Sequence, residues 1–234
     1  MFSGGNDLSI YERYSSEWWD PKSPRFRSLQ KVTEFRIQQI DTWFGPVSGA
    51  KIVDIGCGGG LLSVPLLERG ADVIGIDLSP GSLHTAELQS QGEGQFLIGD
   101  ARNLPLPDDV ADYALLADVL DHIPDYDKAL TEAARVLKPG GKLYINTINR
   151  SFRSWLFAIV LGEGSRLIPP GTHDFRLFIK PEELIHVGGK AGFFKMDLIG
   201  EAPRIGETIS NWAITFKATP SLAIAYSALF RLED

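Results

Sequence analysis

The chain predicts an α/β fold: a mostly parallel seven-stranded sheet with helices on both faces and an antiparallel hairpin at one edge. Three observations predict it. Short β-branched, apolar runs alternate with helical patterns from Lys51 to Thr147. A glycine turn, Gly56–Gly60, joins the first such run to the first helix. An acid, Asp77, closes the second run. Strands buried on both faces read as continuous apolar segments, and a βαβα rhythm places them in parallel with ligands at their carboxyl ends.

Length and composition set the outer bounds. The 234 residues suffice for one large domain with a full core, expected as a helical cap over 1–45 and a main domain over 46–234. The formal charge of −7, with no Lys/Arg run, argues against nucleic acid as a partner. Cys57 is the single cysteine, so no internal disulfide forms, which fits a reducing cytoplasm. No apolar run reaches the ~20 residues of a membrane span, and no signal peptide opens the chain.

The elements follow in order. Residues 1–8 read as frayed. Ile10–Trp19 and Leu29–Phe44 are amphipathic, separated by turn-rich Asp20–Phe26. Strand Lys51–Ile55 leads through the glycines to helix Gly60–Arg69. Strand Asp72–Ile76 precedes Ser79-Pro80, an N-cap with proline at the first helical position. Strands Gln95–Ile98 and Ala111–Leu116 come next, then helix Asp125–Leu137, stopped by KPGG, and strand Lys142–Thr147. An insertion over about 149–178 interrupts the rhythm. A helix from Pro181, strands Phe193–Ile199 and Trp212–Lys217, and an apolar tail, Leu222–Phe230, read as a last helix or an arm, complete the chain.

The strand ends carry the chemistry. The spacing is D-x-G-x-G-x-G, with Asp54 ahead of Gly56, Gly58 and Gly60. Glycines let the backbone turn and approach a ligand. A dinucleotide loop needs G-x-G-x-x-G so that a pyrophosphate can sit on the helix N-terminus. An acid in the strand end repels phosphate and suits a sulfonium. Asp77 is placed to accept both hydroxyls of a ribose, and Asp100 the exocyclic amine of an adenine, with Leu78 and Ala101 adjacent. The loop resembles motif I of the class I S-adenosylmethionine-dependent methyltransferases, which implies their Rossmann-like fold and S-adenosyl-L-methionine as cofactor.

Two further stretches bear on the reaction. Read as a helical turn, Asp118, Asp121 and His122 share one face. They are candidate catalytic residues in one of two ways. Together they could hold a divalent ion such as Mg2+, or His122 alone could act as general base toward a phenolic hydroxyl. In the insertion, Trp155, Leu156 and Phe157 begin a short apolar helix flanked by Arg150, Arg153 and Arg166, suited to a membrane surface or to a lid. His173-Asp174 is placed to fold back over the site.

With these residues in view, the chain resembles the ubiquinone-biosynthesis O-methyltransferases, which methylate polyprenyl phenols and catechols. The resemblance rests on Trp18-Trp19-Asp20, Arg36, DIGCGGG, DVLDHIPD (Asp118–Asp125), KPGG, TINRSFRSWL (Thr147–Leu156) and PPGTHDFRLFIKPEEL (Pro169–Leu184). It implies cofactor contacts at Arg36, Gly56, Asp77 and Ala117, with Arg36 on the methionyl carboxylate. It also implies a divalent metal at the acid–x–x–acid–His motif, although the family has glutamates where Asp118 and Asp121 stand. It further implies a membrane-surface role for the insertion. The expected partner is a phenolic or quinol small molecule, its pocket walled by the N-terminal helices, the insertion and Trp212. The expected location is the cytoplasm or its membrane face.

Overall fold

The computed structural model describes residues 6–234. The sheet has eight strands: β1 Lys51–Ile55, β2 Asp72–Asp77, β3 Gln95–Ile98, β4 Ala111–Ala117, β5 Leu137–Ile148, β6 Phe193–Pro203, β7 Phe216–Thr219 and β8 Ala225–Leu232. Their order is β3-β2-β1-β4-β5-β8-β6-β7. The first five pair in parallel, β8 pairs antiparallel with β5 and β6, and β7 closes the edge as an antiparallel partner of β6. The helices are α1 Ser9–Arg13, α2 Arg27–Phe44, α3 Ser63–Glu68, α4 Pro80–Gln89, α5 Tyr126–Val136, α6 Phe152–Ser154, α7 Pro181–Lys190 and α8 Ile205–Asn211.

Alternation along β1 explains why the sheet needs cover on both faces. Ile52 joins an apolar cluster with Ile37, Ile40 and Phe44 of α2 and Leu66 of α3. Val53 and Ile55 join the other, with Ala129, Leu130 and Ala133 of α5 and Leu184 of α7. Each such fully buried side chain contributes about 1.5–3 kcal/mol of transfer free energy. Ser79 caps α4 by accepting from the Ser82 N–H at 3.0 Å, with Pro80 at the first position, so this helix starts where its sequence signal stands.

Three expectations change. The tail Leu222–Phe230 is neither a helix nor an arm laid on the sheet. Ala225–Leu232 is β8, inserted between β5 and β6, and its residues through Phe230 are buried, which raises the strand count from seven to eight. The edge hairpin is present, but its second strand is Phe216–Thr219, and Trp212 instead ends α8 in a left-handed conformation. α5 ends ahead of KPGG as expected, but the next strand starts at Leu137 rather than Lys142 and so takes in KPGG. KPGG bulges within β5, Lys138–Gly141 lying opposite the single residue Asp112, whose carboxylate accepts from Lys138 Nζ at 2.6 Å. Of the stretch read as frayed, residues 1–5 lie outside the described residues, while Asp7 donates its N–H to the Gly171 carbonyl at 3.0 Å.

Candidate active site

Two cavities open along the carboxyl ends of the parallel strands, one by β1–β4 and the other by β4, β5 and the start of β8. The larger, about 370 Å3, is lined by every residue expected to touch a cofactor: Arg36, Asp54, Gly56, Gly58, Asp77, Leu78, Asp100, Ala101 and Ala117. The smaller, about 100 Å3, is walled mostly by apolar side chains, among them Phe157, Ile168, Ile214 and Phe216. Arg36, Asp118 and His122 line both, so the cavities meet at these side chains. Trp212, expected in the acceptor wall, is 47% exposed, and Ile214 and Phe216 line the wall in its place.

The glycine loop is shaped by the N-terminal segment. Gly58 sits at φ +52°, and a Cβ there would lie 2.6 Å from the Trp18 ring. Trp18 donates its indole N–H to Ser82 Oγ at 2.9 Å, and Trp19 donates to the Gly59 carbonyl at 2.7 Å. The loop is thus clamped from above by residues whose aromatic character alone gave no hint of this contact.

Each acid has its own environment. Asp54 is buried and accepts from Ser63 Oγ at 2.6 Å. Burial pushes its carboxyl up to about 6, against that hydrogen bond. Asp77 accepts from the backbone N–H groups of Gly58 (2.9 Å) and Ser79 (2.8 Å). Burial still outweighs these and raises its pKa. Asp100 is more open, and its hydrogen bonds from Arg102 hold it below the usual carboxylate range. With Glu12 and Asp118, five carboxylates line a cavity that Arg36 and Arg102 also line. This donor set suits a ligand with hydroxyls, an amine and a sulfonium charge, and opposes a phosphate.

Arg36 is buried at the cavity junction. Its Nη1 and Nη2 donate to the two Asp118 oxygens, the second at 2.8 Å, and Nη2 also donates to Asn146 Oδ1 at 2.7 Å. Burial works against its charge, but Asp118 and Glu201 outweigh that and raise its pKa. Behind it, Asn146 donates to Glu201 at 2.6 Å, and Ser227 donates to the same oxygen at 2.5 Å. Arg36 Nε is buried and keeps no partner among the described residues.

The expected helical turn does not hold. The 3-10 turn covers only Leu120–His122, and Asp118 precedes it at φ +54° with its carboxylate on Arg36. The ligand atoms that converge belong instead to Asp121, His122 and His173, all within 4.8 Å of one another. Asp118, Asp121 and His122 therefore do not form the expected metal trio, because the Arg36 ion pair draws Asp118 away. The converging set holds two imidazoles, whereas Mg2+ takes oxygen ligands. It does not fit that ion.

His122 is 7% exposed, and burial lowers its pKa, with Asp121 opposing and His173 adding to the shift. The imidazole is therefore neutral near pH 7. Its Nδ1 lies 2.8 Å from Asn6 Oδ1, while Asn6 Nδ2 donates to the His122 carbonyl at 3.1 Å. That pairing makes Nδ1 the protonated nitrogen and leaves Nε2 as the base. The His173 ring stacks on His122 at 5.7 Å, so the expected fold-back over the site is present. Asn6 and Glu163 reach the site from the N-terminal segment and from the end of the π-helical segment, and no local pattern marked them as site residues.

The insertion is α6 followed by a π-helical segment, Trp155–Glu163. Its side chains divide. Phe157 lines the smaller cavity and Ala158 is buried, whereas Phe152, Leu156, Val160 and Leu161 are exposed and Trp155 is half-buried. Arg150 pairs with Glu183, so only Arg153 and Arg166 remain exposed beside the apolar face. Among the described residues, no helix is long and apolar enough to cross a membrane.

Comparison with known proteins accords with this geometry. Residues 53–145 match the family described as "Methyltransferase domain". Ubiquinone biosynthesis O-methyltransferases of Acinetobacter baylyi and Nitrosomonas europaea are each 35% identical over 201 residues, covering 83% of this chain and 84% of theirs. A methyltransferase structure from Thermotoga maritima superposes with a TM-score of 0.71 at 24% identity, covering 96% of this chain and 99% of that one. A magnesium protoporphyrin IX methyltransferase from Synechocystis, with bound SAH, gives 0.69 at 18%, covering 97% and 96%. These two share the fold. The chain belongs to the ubiquinone biosynthesis O-methyltransferase family and is an S-adenosylmethionine-dependent methyltransferase with the class I Rossmann-like fold.

Proposed function

We propose that the chain methylates the oxygen of a phenol or catechol bearing a long apolar tail, a polyprenylated quinol precursor such as 3-demethylubiquinol. The observation that carries this reading is the junction of an acid-lined cavity with an apolar one at His122. The names of the relatives support the acceptor class.

S-adenosylmethionine, when bound, supplies a methyl group already activated on sulfonium. The protein's own tasks are then position, alignment and deprotonation. Asp77, with Gly56, Gly58, Leu78 and Ala117 around it, holds the ribose side. Asp100 and Ala101 take the adenine, and Asp54 faces the positive charge. Arg36, at the junction of the two cavities, meets the methionyl carboxylate. His122 Nε2 removes the phenolic proton, and Asp121 next to it favours the imidazolium that forms. The apolar wall from Phe157 to Phe216 takes the acceptor's body and excludes water from the oxygen.

The exposed face of Phe152, Leu156, Val160 and Leu161 docks the enzyme on the cytoplasmic membrane surface, where a long-tailed acceptor resides. Phe157 on the opposite side then serves as the lid.

His122→Ala tests the chemistry with a soluble alkylcatechol and labelled cofactor. Turnover should fall about 10²-fold or more, and further loss should appear in the wild type as acid protonates His122 below its lowered pKa. Turnover equal to wild type would remove His122 from the mechanism. A methylated product absent with every phenol and catechol, while cofactor binds, would overturn the reaction itself.

A further inference from the structure

The cluster Asp121–His122–His173 has a property that deprotonation alone does not require: it offers acceptors and no donors. His122 uses its Nδ1–H on Asn6 Oδ1, leaving Nε2 as a lone pair. His173 Nδ1 lies 3.2 Å from Glu163 Oε1, an acceptor-only carboxylate, so its Nδ1 carries the proton and its Nε2 is a lone pair too. Asp121 accepts from Thr147 Oγ1 through Oδ1, and its Oδ2 is buried without a partner among the described residues; it lines neither cavity, so the acceptors open to a guest are the two histidine Nε2 atoms. Removing polar atoms from water without partners costs about 1–3 kcal/mol each, so a guest that fits this cluster must bring hydrogen-bond donors on neighbouring atoms. A lone phenolic hydroxyl brings one. An ortho-diol brings two, on adjacent carbons.

Placement assigns the two hydroxyls. His122 lines both cavities and so stands beside the oxygen that meets the cofactor. His173 lines only the apolar cavity, one ring further from the cofactor side, and its ring is nearly parallel to His122 at 17°. Glu163 fixes that position twice over. It accepts the N–H groups of Gly171 (2.7 Å) and His173 (3.0 Å), which pins the loop, and it holds the His173 tautomer.

We propose that His173 is the specificity-determining residue of the site: it accepts a hydrogen bond from the hydroxyl adjacent to the one methylated and restricts the acceptor to ortho-diols, with Glu163 as its positioning residue. The proposal rests on the phenol-methylating reading above and adds the element that distinguishes a catechol from a monophenol. A site built around a substrate hydroxyl rejects an analogue that lacks it, because buried acceptors are then left unpaired.

The test compares kcat/KM for a 4-alkylcatechol and for the matching 2-methoxyphenol, in which the second oxygen cannot donate. The wild type should favour the catechol by about 10²-fold or more. His173→Leu should shrink that ratio at least about tenfold, His173→Gln, which keeps an acceptor oxygen, should restore part of it, and Glu163→Gln should fall between. General damage to the fold lowers both rates and leaves the ratio unchanged. Cofactor affinity by calorimetry should hold in all three variants, since neither residue lines the cofactor cavity. If a variant no longer turns over, calorimetric affinities for the two phenols carry the same comparison. An unchanged ratio in His173→Leu, or no preference in the wild type, overturns the assignment and leaves the methyltransferase reading standing. A wild type that methylates neither acceptor overturns that reading, and this inference with it.

Discussion

Asp54 is a carboxylate placed where its charge is costly until a cation arrives. Its pKa is raised from 3.8 in the unfolded chain to about 6 in the fold, so between these values the folded state holds a proton that the unfolded state releases. The associated stability is present below about pH 4 and lost as pH rises through 6. Asp54→Asn keeps an acceptor for Ser63 and removes the charge. It should leave the cofactor-free protein almost unchanged at pH 4 and stabilise it above pH 6 by of order 3 kcal/mol, while weakening cofactor binding at pH 8. Denaturant unfolding at the two pH values checks this, and equal effects at both would sink it. Asp54, Asp77 and Asp100 were legible in the sequence because each ends a strand, where a period-two pattern meets a turn. His173 was expected over the site, whereas Asn6 and Glu163 were not. Asn6 meets His122 across 116 positions, and such a contact depends on tertiary packing that no short motif encodes.

The insertion is the element where reading and structure diverge most usefully. Trp155, Leu156 and Phe157 form one apolar run in sequence, yet Leu156 faces outward and Phe157 faces the cavity. The segment is π-wound with i→i+5 hydrogen bonds, and it sets an exposed apolar face apart from the cavity wall. Paired Phe152→Glu and Leu156→Glu should weaken partitioning onto anionic vesicles at least about tenfold, since each loses an apolar contact worth about 1.5–3 kcal/mol. Turnover of a water-soluble catechol should stay near wild type, because neither side chain lines a cavity. Flotation and solution assays on the same preparation check both halves. Flotation equal to wild type would make the outer face an ordinary surface.

At the scale of the whole molecule, the parallel half was legible and the antiparallel half only in outline. From Lys51 to Thr147, β1, β2 and β4 are each followed by a helix, β3 runs to β4 through a loop, and capping and turn residues punctuate the rhythm. Beyond residue 190 the strands are joined by short or irregular links, and AYSALFRL has no alternation, because β8 is buried on both faces. An apolar run of that length does not distinguish strand from helix. The position of β8 has a consequence for biosynthesis. The ribosome emits β5 long before the strand that completes it, so during synthesis Lys142–Ile148 is an apolar edge with unsatisfied backbone groups. The network that steadies Arg36 is equally late, since Ser227 lies on β8. The nascent chain thus has neither a closed sheet nor the network behind Arg36 until β8 appears. Deleting Ala225–Asp234 should send the protein to the insoluble fraction rather than give a weaker enzyme, and sedimentation after expression decides it. A soluble truncated chain that binds cofactor would refute this. In the intact protein, a stop codon or stalled ribosome anywhere before β8 yields a chain fit for a chaperone or a protease, never a half-active methyltransferase.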